Sequence, residues 1–114
     1  MQVLDPIEFY KVRVQFLTTE EGGRRGRIFW SFANYRPDFK LDAGDFHGAV
    51  FMDAPREMAP GDQAEVEISF WCCSSRHAFE PGQTFFLHEG ARPIAEGTIL
   101  AKGVKQYIRP DPNG

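Results

Sequence analysis

A chain of 114 residues, 42% of them hydrophobic, is long enough for one domain with a core and too short for two. A formal net charge of -3 argues against broad attraction to nucleic acid, because polyanion binding requires Lys and Arg to outweigh the carboxylates. The sequence has no run of about 18 apolar residues that could span a bilayer, and its start lacks the basic and apolar regions of a secretory signal. We therefore predict a cytoplasmic protein that does not enter membranes.

Apolar and polar residues alternate along much of the chain, which is the pattern of strands with one buried face. In chain order, strand-forming segments are predicted at 12–16, 28–32, 46–52, 66–70, 85–87 and 94–100. Turns rich in Gly, Pro and Asp separate these segments. No segment has helical periodicity, and only 54–58 could form a helical turn. Such strands, with no helix to cover them, predict an all-β barrel or sandwich.

The loop at 20–27 is the segment most suggestive of a ligand-binding site. Its glycines can direct backbone N–H groups outwards beside three arginines, an arrangement that could hold a phosphate. The alternative is an ordinary hairpin connection whose charges are solvated. The loop is not a P-loop, because it lacks the G-x-x-x-x-G-K-[ST] spacing and a following helix. With no catalytic constellation elsewhere in the sequence, we predict that the protein is not an enzyme.

Cys72, Cys73 and His77 offer soft metal ligands close together in the sequence. Adjacent residues of a strand point to opposite faces, so the two thiols cannot easily converge on one ion. The sequence therefore predicts no metal site and no cofactor. Two adjacent cysteines also suit a reducing compartment.

Four landmarks occur in order along the chain: Glu21-Gly22-Gly23-Arg24, Tyr35-Arg36-Pro37-Asp38-Phe39, Pro60-Gly61-Asp62 and the segment 85–97. Together they resemble the third, C-terminal β-barrel domain of elongation factor Tu and related translation GTPases. The resemblance runs from about 9 to about 102. It implies a closed six-stranded antiparallel β-barrel at 9–104, preceded by an N-terminal extension at 1–8. The segment 105–114 is predicted to be a flexible tail, because a strand cannot continue past its prolines.

In elongation factor Tu this barrel contributes to gripping the T stem of aminoacyl-tRNA. The resemblance therefore implies RNA-facing positions at Arg24, Arg25, Glu89 and Gly90. Arg25 stands where the family usually has His, and Asp38 stands where it usually has Gln. A carboxylate at Asp38 should repel a phosphate by about 1 kcal/mol at a partly exposed site. The implied tRNA surface is thus partly kept and partly reversed in charge.

The same barrel packs against other domains in the intact factor and meets its nucleotide exchange factor, so the resemblance implies a protein partner first. Trp30 and Trp71 could be exposed anchors for such a partner, or could fill the barrel instead. We predict a non-catalytic binding module that mediates protein–protein interaction, with a link to translation and no nucleotide. One alternative is a small RNA-binding protein that grips a tRNA-like stem. Another is a decoy that neutralises a toxin directed at the elongation factor.

Overall fold

The computed structural model describes residues 3–31, 34–41, 44–70 and 79–109, with side chains described between 8 and 104. Within these ranges the secondary structure consists of strands: β1 (Val3–Phe16), β2 (Ile28–Phe29), β3 (Asp38–Leu41), β4 (Phe46–Asp53), β5 (Glu57–Met58), β6 (Gln63–Phe70), β7 (Thr84–Glu89) and β8 (Arg92–Arg109). The described residues contain no helix that is long and apolar enough to cross a membrane.

Six strands close into a barrel in the order β1-β6-β4-β3-β7-β8, and every neighbouring pair is antiparallel. The prediction of an all-β fold built on a closed six-stranded antiparallel β-barrel is confirmed. Closure pairs the first and last strands, so the barrel itself has no open sheet edge. Outside it, β2 and β5 form a separate two-stranded sheet in which Ile28 pairs with Met58 and Phe29 with Glu57.

The core follows the period-two alternation of the sequence. On β1, Val12 and Val14 are fully buried, while the intervening Arg13 is exposed. At the centre of the barrel lies Phe39, whose ring stacks on Phe85 with centroids 4.6 Å apart. The rings of Phe79 and Phe70 complete this aromatic group at 4.9 and 5.1 Å from Phe39. Burial of these large apolar surfaces is the main stabilising contribution to the fold.

Three local predictions differ from the structure. The segment 54–58, the one segment that could form a helical turn, contains β5 instead, because Met58 is buried and its backbone pairs with Ile28 of β2. Of the strand expected at 28–32, the structure has Ile28–Phe29, although the Trp30 N–H still donates to the Arg56 carbonyl at 2.8 Å; Phe32 lies outside the described residues. The sequence reading also missed β3, a strand of only four residues.

A two-stranded ribbon extends beyond the barrel. The pairing of β1 with β8 runs from Phe16 opposite Ala95 to Val3 opposite Arg109, with one bulge between Lys11 and Val12. β6 pairs with β1 only from Tyr10 onwards, so residues 3–9 and 103–109 form an arm on a molecule 50 Å long and 28 Å wide. Paired strands therefore reach into both the segment assigned to an N-terminal extension and the one assigned to a flexible tail. Residues 110–114 lie outside the described part.

Candidate functional site

The loop between β1 and β2 is held in a compact turn by its own backbone. The Leu17 N–H donates to the Ile94 carbonyl at 2.9 Å, and the Gly23 N–H donates to the Thr18 carbonyl at 3.0 Å. Gly22 has a φ of +96°, which favours glycine. A Cβ on Gly23 would lie 2.7 Å from the Leu17 carbonyl oxygen, so this approach also requires glycine. The two glycines of the Glu-Gly-Gly-Arg landmark thus shape the turn that positions Arg24.

Arg24, Tyr35 and Glu89 form one interacting group, which we call the Arg24 cluster. The Arg24 guanidinium makes an ion pair with the Glu89 carboxylate, and the Tyr35 hydroxyl donates to the same carboxylate oxygen. The guanidinium also lies 5.9 Å from the centre of the Tyr35 ring and donates to the Gly26 carbonyl at 3.2 Å. The arginine is therefore engaged within the chain through its charge, its hydrogen-bond donors and its planar face.

The members of the Arg24 cluster shift each other's pKa values. Burial by itself would lower the pKa of Arg24, but the Glu89 carboxylate outweighs that effect and the net shift is upwards. Burial raises the pKa of Tyr35 far above its usual value, and the hydrogen bond to Glu89 raises it further. Arg24 therefore stays charged and Tyr35 stays protonated at neutral pH.

The structure brings together three of the four residues that the resemblance assigned to RNA contact. Glu89 ends β7, and Gly90 occupies the following tight turn with a φ of +63°. Arg24 reaches them from the β1–β2 loop and binds Glu89 instead of facing outwards. Arg25 is exposed beside Arg24. The sequence reading did not assign a role to Tyr35, although the Tyr-Arg-Pro landmark contains it.

Asp38 lies on β3, in the row next to this cluster. It is opposite His88 of β7 and Gly48 of β4 in the sheet register, and it is half-buried. Because adjacent residues of a strand point to opposite faces, Asp38 shares a face with His88 and not with the following Glu89.

Trp30 is partly buried and packs against the core, and its indole N–H donates to Phe51. The exposed aromatic residue at this place is its neighbour Phe29, whose side chain is 70% exposed. An ion pair of 2.7 Å between Arg27 and Glu57 lies alongside, across the β2–β5 sheet. Trp71, the second proposed anchor, lies outside the described residues, as do Cys72, Cys73 and His77.

Within the described ranges, no group of three or more His, Cys, Asp or Glu side chains could hold a metal ion. No family model matches the chain. The likeness to the barrel domain of elongation factor Tu therefore depends on the sequence landmarks alone.

The partly buried phenol of the Arg24 cluster predicts a loss of stability in strong alkali. Because the pKa of Tyr35 is raised, the folded protein holds this proton more tightly than the unfolded chain does. The contribution is complete below pH 10 and is lost as the pH rises above it, by up to about 1.4 kcal/mol per pH unit. Urea denaturation at pH 8, 10 and 11 measures the slope.

The matched control is Tyr35→Phe, which removes the titrating hydroxyl. Part of the pH dependence should remain in this variant, because burial also raises the pKa of Tyr10. A Tyr35→Phe variant with the same alkaline slope as the original chain would contradict the assignment to Tyr35.

Proposed function

We propose that this chain is a non-catalytic binding module whose partner is a protein. The observation that carries the proposal is the exposed Phe29 ring on the small β2–β5 sheet. The likeness to elongation factor Tu makes components of the translation machinery the first partners to examine.

The backbone that carries Phe29 is anchored to the rest of the fold. Its neighbours Ile28 and Met58 are buried beneath the small sheet, and the Trp30 side chain is tied to the barrel through Phe51. A backbone that is anchored in this way loses little conformational entropy when the ring it carries is bound. Aromatic residues surrounded by a polar rim are typical centres of protein interfaces, and the Arg27–Glu57 ion pair supplies such a rim.

The Arg24 cluster favours a protein over RNA as the first partner. Arg24 would have to release Glu89, which is itself half-buried, before its guanidinium could bind a phosphate. Breaking a partly buried ion pair leaves an uncompensated carboxylate next to the polyanion, which costs free energy. The net charge of -3 gives no long-range attraction to offset this cost.

The test is a tagged pull-down from a lysate of the native host, with and without nuclease, using the original chain and Phe29→Ala. We expect a nuclease-resistant protein that Phe29→Ala retains about thirtyfold less tightly, the usual effect of removing an interface hot spot. Phe46→Ala is the matched control, because Phe46 is a 52% exposed phenylalanine on a different strand. A partner that Phe29→Ala and the original chain retain equally would contradict the role of Phe29.

The second candidate is a small RNA-binding protein, and a specific observation favours it. Arg25 and Arg92 are both exposed, and both lie next to members of the Glu89–Gly90 turn or of the Arg24 cluster. RNA that disappears from the pull-down on nuclease treatment would support this candidate. Binding should then weaken steeply with salt, and Arg25→Gln should reduce the salt slope by about one unit. Arg25 is the better residue to change because Arg24→Ala would also break the ion pair with Glu89.

The pull-down also tests the decoy hypothesis. A toxin recovered as the partner that depends on Phe29 would identify the chain as a neutralising binder. An endogenous translation factor recovered in the same way would identify it as a module of that machinery.

A further inference from the structure

The arm formed by residues 3–9 and 103–109 leaves one edge of β8 without a neighbouring strand in the described part of the chain. β7 pairs with β8 only between 92 and 98. At the end of this contact the Gly82 N–H donates to the Ile99 carbonyl, and the Ile99 N–H donates to the Gln83 carbonyl. Beyond that point, β1 covers the inner edge of β8 as far as Arg109. Among the described strands, none pairs with the outer edge of β8 from 101 to 109.

Two backbone hydrogen bonds at the end of β1 show which way the N–H groups of the arm point. The Leu17 N–H donates to Ile94 beside β8, whereas the Phe16 N–H donates to Asp62 on the opposite side. Because N–H groups alternate along a strand, odd-numbered residues of β1 point theirs towards β8 and even-numbered ones point theirs away. The bulge leaves β1 unbroken, since the additional residue is Leu100 of β8. Pro6 accordingly lies at an outward position, where a missing N–H does not disturb the pairing with β8.

The two outer edges of the arm therefore differ. On β1, Pro6 interrupts the row of donors, which is a known way to block strand addition. On β8, Gln106 lies opposite Pro6 and so points its own N–H outwards. The same alternation gives an uninterrupted row of four outward donors on β8: Lys102, Val104, Gln106 and Ile108.

The charges along this edge favour a different protein over a second copy of this chain as the partner. The segment 102–109 contains Lys102, Lys105 and Arg109 and no acidic residue. The Lys102 ammonium is already paired with the Glu80 carboxylate at 2.7 Å, so the basic character offered to a partner is that of Lys105 and Arg109. Pairing this edge with itself in a dimer would bring like charges together across the strands, which is destabilising. The outer edge of β1 in a second copy is interrupted by Pro6. Neither edge of a second copy thus suits the β8 edge, whereas a strand with carboxylates complements it.

We propose that the outer edge of β8, from 102 to 109, accepts an extended acidic segment of a partner protein as an additional β-strand. Main-chain hydrogen bonds to the four outward N–H groups hold the segment, and Lys105 and Arg109 select for its carboxylates. Val104, whose side chain is 63% exposed, adds an apolar contact on one face of the edge. This surface is separate from Phe29 and does not require it.

The experiment uses the whole chain labelled with ¹⁵N and a synthetic peptide of about eight residues that alternates Glu with Val or Thr. We expect the peptide to shift the amide signals of residues 102, 104, 106 and 108 and to slow their hydrogen exchange. Val104→Pro removes one outward donor and leaves the bonds to β1 intact, so we expect binding at least about tenfold weaker. Val104→Ala is the matched control, because it keeps the N–H, and its binding should stay within about threefold of the original.

A second peptide, with Lys in place of Glu, separates charge selection from strand addition, and it should bind weakly to the original chain and better to Lys105→Glu. If Val104→Pro fails to fold, an acidic peptide that is N-methylated at alternate residues tests the same hydrogen bonds on the unaltered chain. Absence of amide shifts along 102–108 would overturn the proposal. Equal binding of the acidic and basic peptides, or full binding of the methylated peptide, would overturn it as well.

Discussion

Phe39→Ala is expected to lower the free energy of unfolding by about 3–5 kcal/mol, which is the usual effect of truncating a fully buried phenylalanine. Phe39 is 0% exposed, and three other aromatic rings pack on it within 4.6 to 5.1 Å. These rings come from β6, β7 and the segment preceding β7, so they cannot all move inwards to fill the same cavity. Since small domains have about 5–15 kcal/mol of stability, the loss should be a large part of the total. Urea denaturation at neutral pH measures it.

The matched control for Phe39→Ala is Phe29→Ala, the same substitution at a side chain that is 70% exposed. Its effect on stability should be within about 0.5 kcal/mol, because the ring is already in water. Phe39→Leu should fall between the two variants, since it keeps most of the buried volume. A loss below about 1 kcal/mol for Phe39→Ala would show that the centre of the barrel is not packed around this ring.

Gly97→Ala is expected to destabilise the barrel by about 3 kcal/mol, at the upper end for one additional methyl group in a packed site. A Cβ at this position would lie 2.5 Å from the Arg13 carbonyl oxygen and 2.5 Å from Cζ of Phe85. Gly97 lies opposite Phe85 of β7 and opposite Val14 of β1, so its strand cannot move away from either neighbour without breaking the other pairing. Thermal and urea denaturation would both report the loss.

Two further variants identify the cause of this effect. Gly26→Ala is the control, because a Cβ there would meet no atom within 4 Å, and its effect should lie within about 1 kcal/mol of zero. Phe85→Leu in the Gly97→Ala background should recover part of the lost stability by removing the ring atom that the methyl group meets. If Gly97→Ala were no more destabilising than Gly26→Ala, the close contact at Gly97 would be wrong.

The candidate site could be predicted from the sequence only in outline. The Glu-Gly-Gly-Arg landmark and the Glu-Gly turn after β7 lie in one neighbourhood of the structure, since Arg24 is paired with Glu89. Their chemistry was not visible in the sequence, because residues proposed to face RNA bind each other and recruit Tyr35. The exposed aromatic residue is likewise one position away from Trp30, the residue proposed as an anchor. Trp30 packs on the core, and Phe29 is exposed in its place, because the β2–β5 pairing determines which of the two faces outwards.

The sequence by itself determined that the protein is built from strands and turns, because period-two alternation and glycine-rich turns are local properties of a few neighbouring residues. Only the tertiary structure decided the strands β3 and β5, the Arg24 cluster and the arm of β1 and β8. β5 consists of two residues and exists through its pairing with β2. In the Arg24 cluster, Glu89 is 65 residues from Arg24 and 54 from Tyr35 along the chain. Contacts over such separations depend on how the barrel closes, and no local pattern of residues encodes them.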